Sequence, residues 1–150
     1  MRLLELLQRD GRLSNVELAQ RVALSASPCL RRVRQLEEAG YIRAYVALVD
    51  PHRVGLGLQA YVSVTLDKRR DNCVNAFHDA MQAAPEVLSC IALTGEMDYL
   101  LHVAAEDLEH FSRFLMSRLL KLDGVANVKS SFVLQSVKST TELPLGQLLR

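Results

Sequence analysis

The sequence predicts an α+β protein: an N-terminal three-helix helix-turn-helix domain, a linking strand, and a C-terminal ferredoxin-like βαββαβ domain. Three observations carry that expectation. Helix-start and helix-stop residues recur at short spacing through residues 1–42. Beyond Asp50-Pro51 and the glycines Gly55 and Gly57, strand-like alternation and helical spacing take turns along the chain. The order of those stretches (strand, helix, two strands, helix, strand) is that of a split βαβ unit. Domain boundaries are therefore expected at residues 1–42, 43–57 and 58–150.

In the first unit, Leu3, Leu4, Leu6 and Leu7 form an apolar helical segment that stops at Asp10-Gly11. Ser14 with Glu17 three residues later is a capping box, which starts a second helix carrying Leu18, Ala19 and Val22. After the short connection "ALS", Ser27 is the expected N-cap and Pro28 the first helical position of a third helix, where a missing N–H costs nothing. Leu30, Val33 and Leu36 recur at helical spacing, and Gly40 closes the helix. "RAYVALVD" then reads as the linking strand.

In the second unit, "LQAYVSVTL" alternates as a strand. A helix is expected from Asp71 to Ala84, with Val74, Phe77 and Met81 on one face. "VLSCIAL" and "YLLHVA" are two strands separated by "TGEMD". Asp107 opens a longer helix carrying Leu108, Phe111, Leu115, Leu119 and Leu122, which is expected to run to Asp123-Gly124. "VANVKSSFVLQSV" is the last strand. Two units this small, joined by a strand, invite dimerisation.

Composition narrows the classes of function. Hydrophobic content of 49% and charged content of 23% are those of a globular chain. No apolar run approaches the roughly 18 to 20 residues that span a bilayer, and Glu5 interrupts the N-terminus too early for a secretory signal, so a cytoplasmic, non-membrane protein is expected. Cys29, Cys73 and Cys90 are far apart and form no C-x-x-C pair, which argues against a zinc knuckle or a thioredoxin-like motif. The net charge of +1 conceals an asymmetry: residues 1–50 hold eight arginines, no lysine and six acids. Residues 24–36 contain three arginines and no acid, a local basic patch suited to a focused contact with phosphates.

Helical geometry sharpens that patch. With Arg31 at 0°, Leu36, Val33 and Leu30 fall at about 140°, 200° and 260°, Arg32 near 100° and Arg34 near 300°. The helix thus has an expected apolar arc and a basic outer side, the pattern of a recognition helix entering the DNA major groove. Arginine suits the task because its planar fork bonds guanine or phosphate at two points. Ser25, Ala26 and Ser27 allow close backbone approach at the helix start. Two other readings stand beside this one: arginines that only solvate an amphipathic helix, and a reactive or metal-binding Cys29 activated by a helix N-terminus and nearby cations. The latter lacks a second cysteine or histidine close in sequence.

At this point the residues support a resemblance. "DGRLSNVELAQRVALSASPCLRRVRQLEEAGYIRAYVALVDP" closely resembles the N-terminal half of the Lrp/AsnC (leucine-responsive, feast/famine) transcriptional regulators. "TGEMDYLLHV" and "LDGVANVKSSFVL" resemble the ligand-sensing half of that family. The likeness implies double-stranded DNA as partner, a homodimer that assembles further, often to an octamer, and an amino-acid effector bound between dimers, with no other cofactor and no metal. Carried over position by position, it assigns Ser25, Ser27, Pro28, Cys29, Arg31, Arg32 and Arg34 to DNA binding. It assigns Thr94, Gly95, Glu96, Met97, Asp98 and Tyr99 to effector binding. Two departures stand out. Met1 falls inside the family's first helix, implying a shortened or trimmed helix, and Glu96-Met97 replace a frequent aspartate and aromatic residue.

Read from its own residues, "TGEMD" offers a permissive Gly95 and two carboxylates, Glu96 and Asp98, either of which could accept an amino acid's ammonium group. The plainer reading is a hairpin turn with solvated acids. His52, His78, His102 and His110 form no ligand-spaced pair. The expectation is an amino-acid-responsive transcription regulator, leucine or methionine being the favoured effectors. The alternative is a small-molecule enzyme or metal sensor on a dimeric ferredoxin-like fold.

Overall fold

The computed structural model describes residues 2–67 and 72–149. These residues fall into two compact units, residues 1–48 with 137–150, and residues 49–136. The tail from residue 137, which the sequence placed with the second domain, thus packs within the first unit. Two contacts hold it there: Gln8 exchanges hydrogen bonds with the Leu143 backbone (3.1 and 3.0 Å), and Arg9 pairs with Glu142 at 2.9 Å.

The first unit contains α1 (Arg2–Leu7), α2 (Asn15–Arg21) and α3 (Ala26–Glu38). The capping box forms as expected: the Ser14 hydroxyl accepts from the Glu17 N–H, and the Glu17 carboxylate accepts from the Ser14 N–H at 2.8 Å. Leu3, Leu7, Leu18, Ala19, Cys29 and Val33 bury against one another as the core. Ala23, at φ +54°, turns the chain between α2 and α3. The start of α3 corrects the sequence reading: Ser25 is the N-cap, and Ser27 and Pro28 already lie in the first turn. Pro28 is tolerated there because the first four N–H groups of a helix have no intrahelical partner. At the other end Gly40, at φ +73°, closes the helix, with Tyr41 N–H donating to Leu36 C=O at 2.9 Å and Gly40 N–H to Glu37 C=O at 3.0 Å.

The linking strand is a second correction. Residues 42–50 form no ladder, and Val46, Leu48 and Val49 are exposed. The alternation in "RAYVALVD" permits an extended chain, but a strand needs a neighbour to satisfy its N–H and C=O groups, and none among the described residues supplies one.

The second unit contains β1 (Leu58–Leu66), α4 (Cys73–Gln82), β2 (Val87–Ala92), β3 (Tyr99–Ala105), α5 (Leu108–Ser117) and β4 (Val125–Phe132). The sheet order is β2-β3-β1-β4 and all neighbours are antiparallel, the ferredoxin-like arrangement. One face of β1 and β3 (Ala60, Val62, Val64, Tyr99, Leu101, Val103) packs on Phe77 and Met81 of α4 and on Phe111 and Phe114 of α5. The expected helix start at Asp71 lies outside the described residues. Cys73 rather than Val74 joins the buried stripe of α4, Val74 being exposed. The α-helical geometry of α5 ends at Ser117, not Leu122, and Leu119–Lys121 tighten into a 3₁₀ turn that sets Leu119 fully in the core. Leu108, expected on the apolar stripe, is exposed, and the last strand stops at Phe132.

Candidate functional site

The first candidate surface is α3. Cys29 is fully buried and Val33 nearly so, with Leu36 half-buried beside them. Ser25, Ser27, Arg31, Arg32 and Arg34 are exposed, and Pro28 is half-buried. Cys29 is therefore a core residue of this helix, shut away from an oxidant or ligand. Among the described residues no group of three histidine, cysteine or acidic side chains is arranged to hold a metal ion. Leu30 corrects the sequence reading, because it stands at the edge of the apolar arc, 40% exposed while also bordering a small cavity with Leu7, Leu18 and Val33. The dry side of α3 is centred on Cys29, at about 160° on the helical wheel, and Leu30 at about 260° lies at its edge.

The three arginines do not share one surface. Arg31 and Arg34 line a groove of about 340 Å³ with Ser27, Leu30, Gln35 and Glu38. Arg32 turns to a different groove, of about 480 Å³, where Arg2, Gln35 and Tyr41 also meet solvent. Among the described residues neither Arg2 nor any of the three α3 arginines is engaged in an ion pair. Sequence reasoning missed Arg2, since nothing local connects position 2 to position 32.

The second candidate is the β2–β3 connection, residues 93–98. Thr94, Gly95 and Glu96 are exposed, Met97 and Asp98 half-buried, and Tyr99 buried. Gly95 sits at φ +114°, a conformation that side-chain-bearing residues rarely adopt. Asp98 anchors the loop: its N–H donates to Val64 C=O at 3.0 Å, and its carboxylate accepts the Leu66 N–H at 2.9 Å. Its own C=O accepts from Leu93 at 2.9 Å. Of the two acids, Glu96 is thus the one that projects into solvent. The Tyr99 hydroxyl lies 2.7 Å from His78 Nε2, and its ring packs against Phe77. It borders a groove of about 480 Å³ between α4 and β2, lined also by Met81, Leu88 and Cys90. The six residues therefore divide into an exposed loop tip and a buried anchor.

Two other histidines have local side-chain partners. His102 stacks on Tyr61 with ring centroids 4.9 Å apart and meets Gln59 Oε1 at 3.0 Å, and burial lowers its pKa. His110 sits 3.6 Å from Glu86.

Comparison with known proteins places this geometry. A family model described as the Lrp/AsnC ligand binding domain matches residues 59–143, and one described as winged helix-turn-helix DNA-binding matches residues 1–43. The chain belongs to the Lrp/AsnC family. It is 42% identical to the Bkd operon transcriptional regulator of Pseudomonas aeruginosa over 97% of this chain and 95% of that protein. It is 39% identical to the leucine-responsive regulatory protein of Escherichia coli K12 over 91% and 84% of the two chains. Among solved structures, a transcriptional regulator of Neisseria meningitidis in complex with L-methionine superposes with a TM-score of 0.95 at 51% identity, covering 98% of this chain and 95% of that one. This Lrp/AsnC protein is thus a helix-turn-helix transcription regulator and not an enzyme, and α3 lies within the residues that the helix-turn-helix model matches.

Proposed function

We propose that the protein is a cytoplasmic regulator that seats α3 in the DNA major groove and senses an amino acid, methionine before leucine, at the loop of Thr94, Gly95, Glu96, Met97, Asp98 and Tyr99. The observation that carries the DNA half is α3 itself: a helix anchored by buried Cys29 and Val33 that turns Ser27, Arg31 and Arg34 outward. The effector half is supported by the 51%-identical Neisseria regulator, solved with L-methionine. Glu96 supplies an exposed carboxylate for the ligand's ammonium group, Gly95 leaves backbone accessible, and Asp98 holds the loop in shape.

A homodimer, built up to an octamer, completes the proposal. The sheet face away from α4 and α5 leaves Tyr61 and Ile91 exposed and His102 half-buried among polar neighbours such as Ser89 and Lys129, a mixed surface that a second copy can cover. Effector bound between dimers favours one arrangement of the paired DNA-binding units, whose spacing then matches or misses successive half-sites.

A thermal-shift screen of the full chain against the twenty amino acids tests the effector. L-methionine should raise the melting temperature, and Glu96→Ala should abolish the shift while leaving the ligand-free melting point in place. A Glu96→Ala protein that responds like the wild type would remove Glu96 from the site.

A further inference from the structure

Resting on α3 as the DNA-contacting helix, we propose that its surface is divided between two tasks. Ser27, Leu30, Arg31 and Arg34 form the ridge that reads base edges, with Leu30 seated on a thymine methyl. Arg32 leaves that ridge and, with Arg2 and Tyr41, holds a backbone phosphate on the flank.

The division follows from which groove each side chain lines. The ridge groove mixes a hydroxyl, two guanidiniums, an amide, an acid and one apolar side chain, Leu30. Such a set matches the mixed pattern of a major groove, where arginine forks onto guanine O6 and N7, and an apolar side chain recognises thymine by its methyl group. Leu30 is exposed to the extent of 40% on a helix whose core places are taken by Cys29 and Val33. On the helical wheel Leu30, Arg34, Ser27 and Arg31 fall within an arc of about 100°, narrow enough to enter one groove together. Leu30 lies one position before Arg31, in the N-terminal half of α3, where recognition helices meet base edges.

The flank groove differs in kind. Its cations are Arg2 and Arg32, its other polar side chains are Gln35 and Tyr41, and no acid lines it. Two unpaired guanidiniums without a neighbouring acid favour an anion, whereas Glu38 on the ridge repels one and leaves base-edge donors as its partners. Phosphate contacts set register and carry no sequence information, so the two sides of α3 make separable predictions.

The test uses the full chain and a duplex selected by it from a random pool, a scrambled duplex, and the selected duplex with single thymines replaced by deoxyuridine, which removes only the methyl. At one thymine per half-site the wild type should lose about fourfold in affinity, the worth of one buried methyl group. Leu30→Ala should bind the thymine and deoxyuridine duplexes equally, and Leu30→Met, which keeps the volume, should retain part of the discrimination. Arg32→Ala should weaken selected and scrambled duplexes by the same factor and flatten the slope of log affinity against log salt by about one for each half-site bound. Arg31→Ala should instead narrow the ratio between selected and scrambled duplexes. A wild type indifferent to every deoxyuridine replacement overturns the role of Leu30, whatever the variants do. An Arg32→Ala protein that loses specificity as Arg31→Ala does overturns the division of tasks. If Arg31→Ala binds the selected duplex unchanged, it is the placement of α3 itself that falls, and the division with it.

Discussion

Gly124 is held to glycine by two separate facts. It sits at φ +88°, and a Cβ built there would lie 2.5 Å from Cys73 Cβ. Gly124→Ala combines the cost of left-handed backbone with overlap against the first turn of α4, and should destabilise the fold by about 2 kcal/mol or more in urea unfolding. Tyr45 shows a gentler constraint. Its hydroxyl donates to Glu37 at 3.0 Å, its ring lies over Gly11, and burial, reinforced by the Glu37 carboxylate, pushes its pKa up to about 12. A phenol whose folded pKa is raised stabilises the fold at all pH values below its ordinary 10, and that contribution drains away as pH climbs from 10 toward 12. Wild-type stability should therefore fall across that alkaline window, and Tyr45→Phe should lack that part of the fall. An identical alkaline profile in the variant would mean that Tyr45 is not held in its partly buried place beside Glu37 in solution.

Elements were legible where local chemistry alone decides them. The Ser14–Glu17 capping box, the Gly40 stop and the Asp107 cap are all carried by residues within a few positions of one another, and each forms. What could not be read locally was set by distant neighbours. Leu30 and Val33 look alike in sequence, but α1 and α2 cover only the side of α3 that holds Cys29 and Val33. Asp98 looks like a loop acid, yet its carboxylate meets a backbone N–H 32 positions earlier. The linking segment alternates like a strand and has no strand partner among the described residues. The tail beyond residue 136 gave no sign that it packs against α1. Its contact should be carried by Gln8, which satisfies both backbone groups of Leu143, more than by the exposed Arg9–Glu142 pair. Gln8→Ala should cost about 1 kcal/mol and release the Leu143 amide to hydrogen exchange, while Arg9→Ala should stay within about 0.5 kcal/mol. Equal effects from the two variants would shift the anchor from the amide clamp to the ion pair.

At the scale of the whole molecule, the helices cover one face of the sheet, and the proposed dimer covers the other. His102 lies on that open face, stacked on Tyr61 and held by Gln59, with Lys129 of β4 and Ser89 of β2 sharing the same side of the sheet by register. Burial already lowers the His102 pKa from 6.5 within a single chain, and a second copy packed over it would exclude more water from the ring. A histidine whose pKa is lowered in the packed state favours packing while neutral. As pH falls below 6.5, into the lowered range of His102, the dissociated chain takes up a proton more readily than the assembled one, so association weakens. Sedimentation at pH 8 and pH 5.5 should therefore show looser assembly at the lower pH for the wild type. His102→Gln, which keeps a polar group near Gln59 without the titration, should assemble alike at both. If the variant retains the full pH dependence, His102 does not lie in the interface, and the open face of the sheet is not where two copies meet.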